Sequence, residues 1–385
     1  MSNARKLAAI SSIVTVLAVQ AQAQIPDLLT SFDAGGRAMG LGGGIGATSA
    51  DTFSGLNNPA GLAYVSVPTI GLAIRNMPQS KTTLNSSFTS PVLDSRGEVG
   101  HIGLSHAGVV IPVKKKGGRS AGAVGLSYTV GGYIRDARTG NGALPINATT
   151  GVVNYQELIK AKTDFFTVAY GWSNGDQSLA IGAGLVVATQ FILNRQSYDV
   201  QTASGNVPNP PVDLSGQGTG IGAVLGIQYI PKDNQNVNLG LSIRTPINLS
   251  GNTNTAVYYD RIPGKISAGA AVRKDNFRGD DYLVYGVQMD AFFRNYRSAS
   301  LQRKRTVNLG AGLEYNMVRG FGRIPVRLGF SVIPAAGTGF KDRNALTFGV
   351  GYRPFSSNLS VDLNFASTGS GGLDSSLLLN YRLKN

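Results

Sequence analysis

Few residues in this chain are suited to catalysis. There is no cysteine and there are two histidines, so a disulfide framework, a thiolate metal centre and a histidine-built metal site are all excluded, and no metal or cofactor is expected. Both histidines fall in one stretch, Gly100-His101-Ile102-Gly103-Leu104-Ser105-His106. Acyl transfer needs a serine, a base and an orienting group within hydrogen-bond reach. On a strand, Ser105 and His106 point to opposite faces. His101 and Ser105 share a face but lie about 13 Å apart at ~3.3 Å per residue. Neither pair is poised to share a proton, so no catalytic residue and no enzyme activity is expected. The glycine-rich run 31–47 invites comparison with a phosphate-binding loop, but no Gly-Lys-Ser/Thr follows it and no clear strand precedes it.

A second set of chemically capable residues is charged. Arg75, Arg244, Arg273, Asp290, Glu314, Arg327, Arg353, Asp362 and Arg382 sit within or near alternating apolar stretches, nearly all on the face opposite the large apolar side chains. Two readings stand side by side. Arg244, Arg273, Arg327 and Arg353 could offer a cation to the carboxylate of an apolar ligand. Alternatively they pair with Asp290, Glu314 and Asp362 and simply fill an interior. Phe166, Tyr170 and Trp172 share one face near a strand end, which suits an interfacial aromatic belt better than a sugar platform.

The elements that must carry these residues are strands. From about residue 69 the chain repeats one event, in which eight to fifteen residues alternate between large apolar and small or polar and then break at Gly, Asn, Asp, Pro or Lys. In 179–193, Leu179, Ile181, Ala183, Leu185, Val187, Phe191 and Leu193 share a face against Gly182, Gly184, Ala188 and Gln190. About fourteen such segments are predicted: 69–76, 99–113, 120–133, 163–173, 178–196, 218–230, 236–246, 264–274, 281–294, 304–316, 323–333, 344–354, 358–367 and 375–383. Residues 77–98, 134–162 and 197–217, rich in Asn, Ser, Thr, Gly and Pro, are expected to be outer loops, with one or two helical turns over 155–162. The breaks 174–177 and 355–357 suit short periplasmic turns.

The first residues place these strands in a compartment. Arg5 and Lys6, the apolar run from Leu7 to Val19 and the small residues before Gln24 read as a signal peptide cleaved after Ala23. The apolar run is short for a helical span of ~20 residues. Charged residues make up only 15% of the chain and 51 of 385 residues are glycine. An exported chain with few charges and no second long apolar window can place its apolar surface against lipid by closing a sheet. The expected fold is an all-β, antiparallel transmembrane barrel of the Gram-negative outer membrane over 68–385, with both termini on the periplasmic side. A soluble sandwich would also alternate, but it does not need so many strands of this length. The formal charge of +14 would suggest nucleic acid in an intracellular protein. Export argues against that, and the clusters Lys114-Lys115-Lys116 and Arg303-Lys304-Arg305 suit solvated turns or anionic lipid headgroups.

Residues 24–67 read differently, as a compact plug. Arg37-Ala38-Met39-Gly40-Leu41-Gly42-Gly43, then Asp51, then Asn58-Pro59-Ala60-Gly61-Leu62-Ala63 resemble the opening of the long-chain fatty acid and aromatic hydrocarbon transporter superfamily of outer-membrane barrels. Leu241–Gly251 and Ile262–Ala271 match that family's style. The resemblance implies a fourteen-stranded barrel blocked by an N-terminal hatch. It also implies passive uptake of hydrophobic small molecules such as long-chain fatty acids, released sideways through a gap in the wall. Arg37, Gly40, Asn58, Pro59 and Gly61 carry over as hatch residues with structural roles. The implied partners are outer-membrane lipid and a hydrophobic ligand. Because related Bacteroidetes barrels act in cargo secretion, the alternative is a non-transport barrel serving as a secretion partner or surface scaffold, either monomeric or within a complex. A water-filled porin is disfavoured by the plug. One departure is the end of the chain, where Tyr381 and Leu383 are the nearest candidates for the aromatic or apolar terminal residue many such barrels carry.

Overall fold

Alternation along each strand becomes alternation between the two faces of a wall. In the strand Ala345–Pro354, Ala345, Thr347, Gly349 and Gly351 are buried whereas Leu346, Phe348, Val350 and Tyr352 are exposed. The pattern is inverted relative to a soluble protein, with small and polar residues inside and large apolar ones outside, as expected of a sheet that faces lipid. The computed structural model describes residues 25–26, 35–85, 92–114, 120–146, 149–202, 205–208, 212–251, 261–293, 302–338, 340–342, 344–368 and 373–383. The signal-peptide reading of residues 1–23 lies outside them.

The wall consists of fourteen strands: β1 (Thr69–Asn85), β2 (Val92–Lys114), β3 (Ser120–Ile146), β4 (Thr149–Ser173), β5 (Leu179–Thr202), β6 (Val212–Tyr229), β7 (Val237–Arg244), β8 (Gly264–Arg278), β9 (Asp281–Phe293), β10 (Thr306–Arg319), β11 (Gly322–Val332), β12 (Ala345–Pro354), β13 (Leu359–Thr368) and β14 (Leu373–Arg382). Each pairs antiparallel with its sequence neighbours, and β14 pairs with β1 from Thr69↔Arg382 to Asn76↔Ser375, which closes the barrel. Every strand of the ring is thus hydrogen-bonded to two neighbours, the closure a membrane wall needs. A short strand, Gly205–Pro208, pairs with β5. Among the described residues no helix is long and apolar enough to cross a membrane. The exposed band of large apolar side chains runs round the whole ring, from Ile70 and Leu126 through Leu185, Ile221, Val287 and Leu328 to Tyr381. Phe166, Tyr170 and Trp172 belong to it, near the end where the short turns lie.

Every one of the fourteen sequence segments lies on a strand, but the strands of the first half are far longer than the alternation suggested. β3 has 27 residues and β4 has 25, where ~9–11 suffice to cross a bilayer. The stretches expected as loops within 77–98, 134–162 and 197–217 are largely the upper halves of β1–β6. Residues 155–162, expected to include helical turns, continue β4, with Tyr155 opposite Tyr198 and Lys162 opposite Phe191. The reason is physical. Above the membrane both faces of a strand meet water, so the apolar–polar period disappears while the backbone ladder continues.

Residues 35–65 line the inner face of this wall. They form two short helices, α1 (Gly36–Gly40) and α2 (Ser54–Asn57), and a 3₁₀ helix, Pro59–Tyr64. Asn58 caps the last one, its Oδ1 accepting from the Ala60 amide at 3.1 Å. Pro59 occupies the first helical position, where its missing N–H costs nothing. Met39, Leu41, Ala47, Ala60 and Leu62 have no exposed surface.

Candidate functional site

The inner segment is held by inward-facing polar side chains of the wall. Gln228 of β6 donates to the carbonyls of Ala47 (3.2 Å) and Ser49 (3.0 Å). Gln288 of β9 accepts from the Ala47 amide (2.7 Å), and Asn238 of β7 donates to Thr48 O (3.2 Å). Ser242 of β7 donates to Asn57 O (2.6 Å). Asn58 ties the segment to itself and to the wall, donating to Ala47 O (2.7 Å) and Ile227 O (3.1 Å). The wall meets this backbone with glycines. A Cβ at Gly226 would overlap Asn58, one at Gly182 would overlap Pro59, and one at Gly61 would overlap Ser49 O. Gly42 has φ +60°, and a Cβ there would run into the backbone of Phe330. Gly40 packs against Asn364 of β13, and its carbonyl accepts from Thr347 (3.2 Å).

The charged residues separate into three places. On the β10–β13 side, Arg37 of α1 reaches Glu314 through both Nε (2.8 Å) and Nη2 (2.9 Å). Arg327 bridges Glu314 (2.6 Å) and Asp362 (2.6 Å) and donates to Asn364 (3.2 Å), and Arg353 approaches Asp362 at 3.6 Å. Arg327, Glu314 and Asp362 are almost fully buried, and here the interior charges are paired. Higher on the wall, Arg75 pairs with Asp374 through two contacts. On the β7–β9 side, buried Arg244 lies opposite Lys265, whose Nζ is 3.7 Å from Asp290 Oδ2. The Arg244 guanidinium sits over the ring of Phe165, 4.9 Å from its centroid. Arg273 is set apart from these. It is half exposed near the turn after β8, bound to Asp275 (2.6 Å) and stacked on Tyr282. Arg382 is exposed at the same end of the barrel. A polar cavity of about 270 Å³ opens at the short-turn end between the inner segment and β12–β14, lined by Arg37, Asp51, Tyr64, Arg353, Asp362 and Arg382 among others. Burial pushes the Asp51 carboxyl up, opposed by the Phe53 amide and by the charge of Arg37.

The wall is not uniform. The β2–β3 ladder runs from Lys114↔Ser120 to His106↔Thr129 and goes no further among the described residues. Above that point β2 pairs only with β1, and β3 pairs with β4 and, over Asp136–Asn141, in parallel with Ser80–Asn85 of β1. Both strands are bulged where the ladder stops. Ser105 is the extra residue between Ala73↔His106 and Ile74↔Leu104, and Gly131 is the extra residue between Val130↔Asp164 and Gly132↔Thr163. The result is a seam in the wall.

The bulge also overturns the expectation that Ser105 and His106 face opposite ways, since both are fully buried. A bulge breaks the two-residue period and re-aims a side chain. His106 pairs through Nδ1 with Thr129 (2.9 Å) and through Nε2 with Thr52 of the inner segment (3.0 Å), and it stacks on Phe53 with ring centroids 3.7 Å apart. Ser105 donates to Ala73 O (3.3 Å). His106 thus joins the base of the seam to the inner segment. The side chain of His101 lies outside the described residues.

Beside the seam lies the largest apolar cluster of the interior among the described residues. It joins Leu56 of α2 to Phe165, Val186, Ala188, Val224 and Phe292. Ile247 and Ile262 belong to it, and Leu249 packs against it. Phe165 fills the space that a side chain at Gly131 would need. The cluster therefore extends from the inner segment to the seam. Sequence reasoning found Asn58, Pro59 and Gly61 through their motif, but it missed Gln228, Ser242, Gln288 and His106. On a strand these look like ordinary inward polar residues, and only the partner across the interior distinguishes them. A local signal for the seam did exist in the paired glycines Gly131-Gly132, which interrupt the alternation of 120–130.

No protein-family model and no curated protein matches the chain. Solved structures do match it. A Pseudomonas aeruginosa FadL homologue superposes with a TM-score of 0.60 at 16% identity, covering 94% of this chain and 100% of that one. The P. putida toluene transporter TodX gives 0.59 at 11% identity over 93% and 100%. The Ralstonia pickettii toluene transporter TbuX gives 0.55 at 13% identity over 93% and 100%. The chain thus shares its fold, over nearly its whole length, with these proteins.

Proposed function

We propose that the protein carries hydrophobic small molecules, such as long-chain fatty acids, across the Gram-negative outer membrane by passive diffusion, with release sideways through the β2–β3 seam. The observation that carries this reading is the juxtaposition of an interior apolar cluster with a break in the wall ladder beside it. A hydrocarbon chain prefers lipid to water by roughly 0.8 kcal/mol per CH₂, so an exit into the bilayer spares it an aqueous path. Residues 24–67 act as the hatch, in which Arg37, Gly40, Asn58, Pro59 and Gly61 hold the barrier to water. Arg244, over Phe165 and beside Lys265, is the cation best placed for a carboxylate entering the cluster. Arg327 and Arg353 serve the hatch instead, and Arg273 serves the rim. The long-hairpin end faces outward and the short turns face the periplasm. Solved barrels of the same fold include proteins named toluene transporters, which supports a hydrophobic cargo.

One observation favours the second reading, a secretion partner or surface scaffold: β1–β6 rise well beyond the membrane as an extended sheet. The two are separated by purifying the barrel in mild detergent and analysing extracted small molecules by mass spectrometry. Stoichiometric fatty acid or another hydrophobic compound supports transport. An empty barrel that co-purifies with a protein supports the scaffold.

A further inference from the structure

Toward the long-hairpin end, the lipid-facing band of β3–β5 gives way to cations. Cross-strand register places Tyr128, Phe166 and Val187 in one outward row, Tyr133, Lys162 and Phe191 in a higher one, and Arg135, Lys160 and Leu193 in the next. The bulge at Gly131 shifts the parity of β3, so Tyr133 and Arg135 continue the outward face of Leu126 and Tyr128. Lys162 is fixed in place. It donates to Tyr128 Oη (2.9 Å) and lies 3.1 Å from Asp164, and Tyr128 donates to that same carboxylate (2.8 Å). Arg135 and Lys160 are direct partners across the ladder, and both are half-buried. Among the described residues neither forms an ion pair, and Arg135 Nε is shut off from solvent without a hydrogen-bond partner. Arg195, a row higher, lies opposite Asp213.

We infer that Arg135, Lys160 and Lys162 on the outer surface of β3 and β4 bind the phosphate of an outer-leaflet glycolipid, whose acyl chains lie on the apolar rows below. The inference rests on the orientation given with the proposed function, in which the long hairpins face outward, and not on the cargo. Like charges directly opposite on a ladder are unfavourable, and an anion seated between Arg135 and Lys160 removes that cost. Asp164 does not supply it, because Lys162 already engages that carboxylate. A guanidinium presents forked donors that match phosphate oxygens, and the ammonium adds a point charge. The occupant must also be apolar. Phe191 and Leu193 stand in the same rows as the cations, and Phe166 and Val187 lie directly below. An anionic head on hydrocarbon chains meets both demands, whereas a free anion meets only the first. Because β3 borders the seam, the bound lipid stands at its outer flank.

The test is binding of diphosphorylated lipid A to the full-length barrel in mild detergent, read by native mass spectrometry. The wild type is expected to bind it at least about tenfold tighter than the same lipid with its phosphates removed. Arg135→Gln combined with Lys160→Gln is expected to lower the affinity about tenfold. Lys274→Gln combined with Arg278→Gln, at the short-turn end, is expected to leave it unchanged. Heat-modifiable migration in gels reports that each variant is folded. Equal binding of the dephosphorylated lipid, or undiminished binding by the Arg135/Lys160 variant, overturns the inference. Inorganic phosphate that binds as tightly as lipid A overturns the lipid assignment and leaves a plain anion site. The chain has no cysteine, so Gln156→Cys, exposed above the cations on β4, reports orientation through a membrane-impermeant maleimide on intact cells. Labelling without lipid A binding sinks the inference and leaves the orientation standing. Labelling only after the outer membrane is permeabilised sinks the orientation, and the inference with it.

Discussion

Arg327 illustrates what a single interior residue contributes in this molecule. Its guanidinium serves Glu314, Asp362 and Asn364 at once, and Glu314 in turn receives Arg37 of the inner segment. Removing one member of a buried ionic group leaves its partners charged and uncompensated, at a cost of about 3–5 kcal/mol. Arg327→Ala is therefore expected to lower unfolding stability in detergent by that order, read as a fall in the temperature at which the folded gel band is lost. These charges were legible in the sequence because they sat against the apolar face. Their partners were only partly so. Pairing across an interior depends on register, and register is set by the ladder rather than by any local pattern. Arg273 illustrates the limit. Its parity along β8 matches that of Lys265, yet its height on the strand places it at the rim.

At the scale of elements, the seam is where the wall departs from regularity. β2 and β3 each carry one extra residue, and His106 links that point to Thr52 and Phe53. His106→Ala removes both hydroxyl contacts and the ring stack, so the inner segment loses an anchor at the base of the seam. The expected outcome is a folded barrel with higher ion conductance in planar bilayers than the wild type. Unchanged conductance would mean that Gln228, Ser242 and Gln288 suffice to hold the segment. The tall β3–β4 hairpin makes a different prediction. Its upper part bridges to β1 only above the seam, while the ring below is closed by β14 and β1, so excising Asp136 through Ile159 with a short turn is expected to leave the folded gel band intact. Strand identity was readable wherever one face meets lipid. Strand length was not, because polar residues on both faces carry no period. The bulges were hidden for a related reason, since one extra residue shifts the phase of alternation without changing composition.

For the whole molecule, the decisive property is a ring of fourteen strands with its apolar side chains outward and a packed segment within. That ring followed from the two-residue period together with the shortage of charge, whereas the inward turn after β7, where Thr245 N donates to Ala223 O and Ser250 pairs with Thr219 of β6, did not, since Leu241–Gly251 reads as strand followed by loop. The outward face predicts a depth-dependent penalty. Leu328, 55% exposed in the wall, should tolerate Arg poorly, by about 2–4 kcal/mol at the membrane midplane, measured by reversible unfolding into lipid vesicles. The claim that most needs testing is that cargo leaves through the seam. Gly131 is the place to seal it, because a side chain there competes with Phe165 at the junction of cluster and wall. The most direct measurement is uptake of labelled oleate by cells that depend on this barrel, comparing wild type with Gly131→Leu at equal amounts of folded protein. Uptake above background in the wild type that falls to near background in Gly131→Leu is the predicted result; equal uptake by both would contradict lateral release through β2–β3.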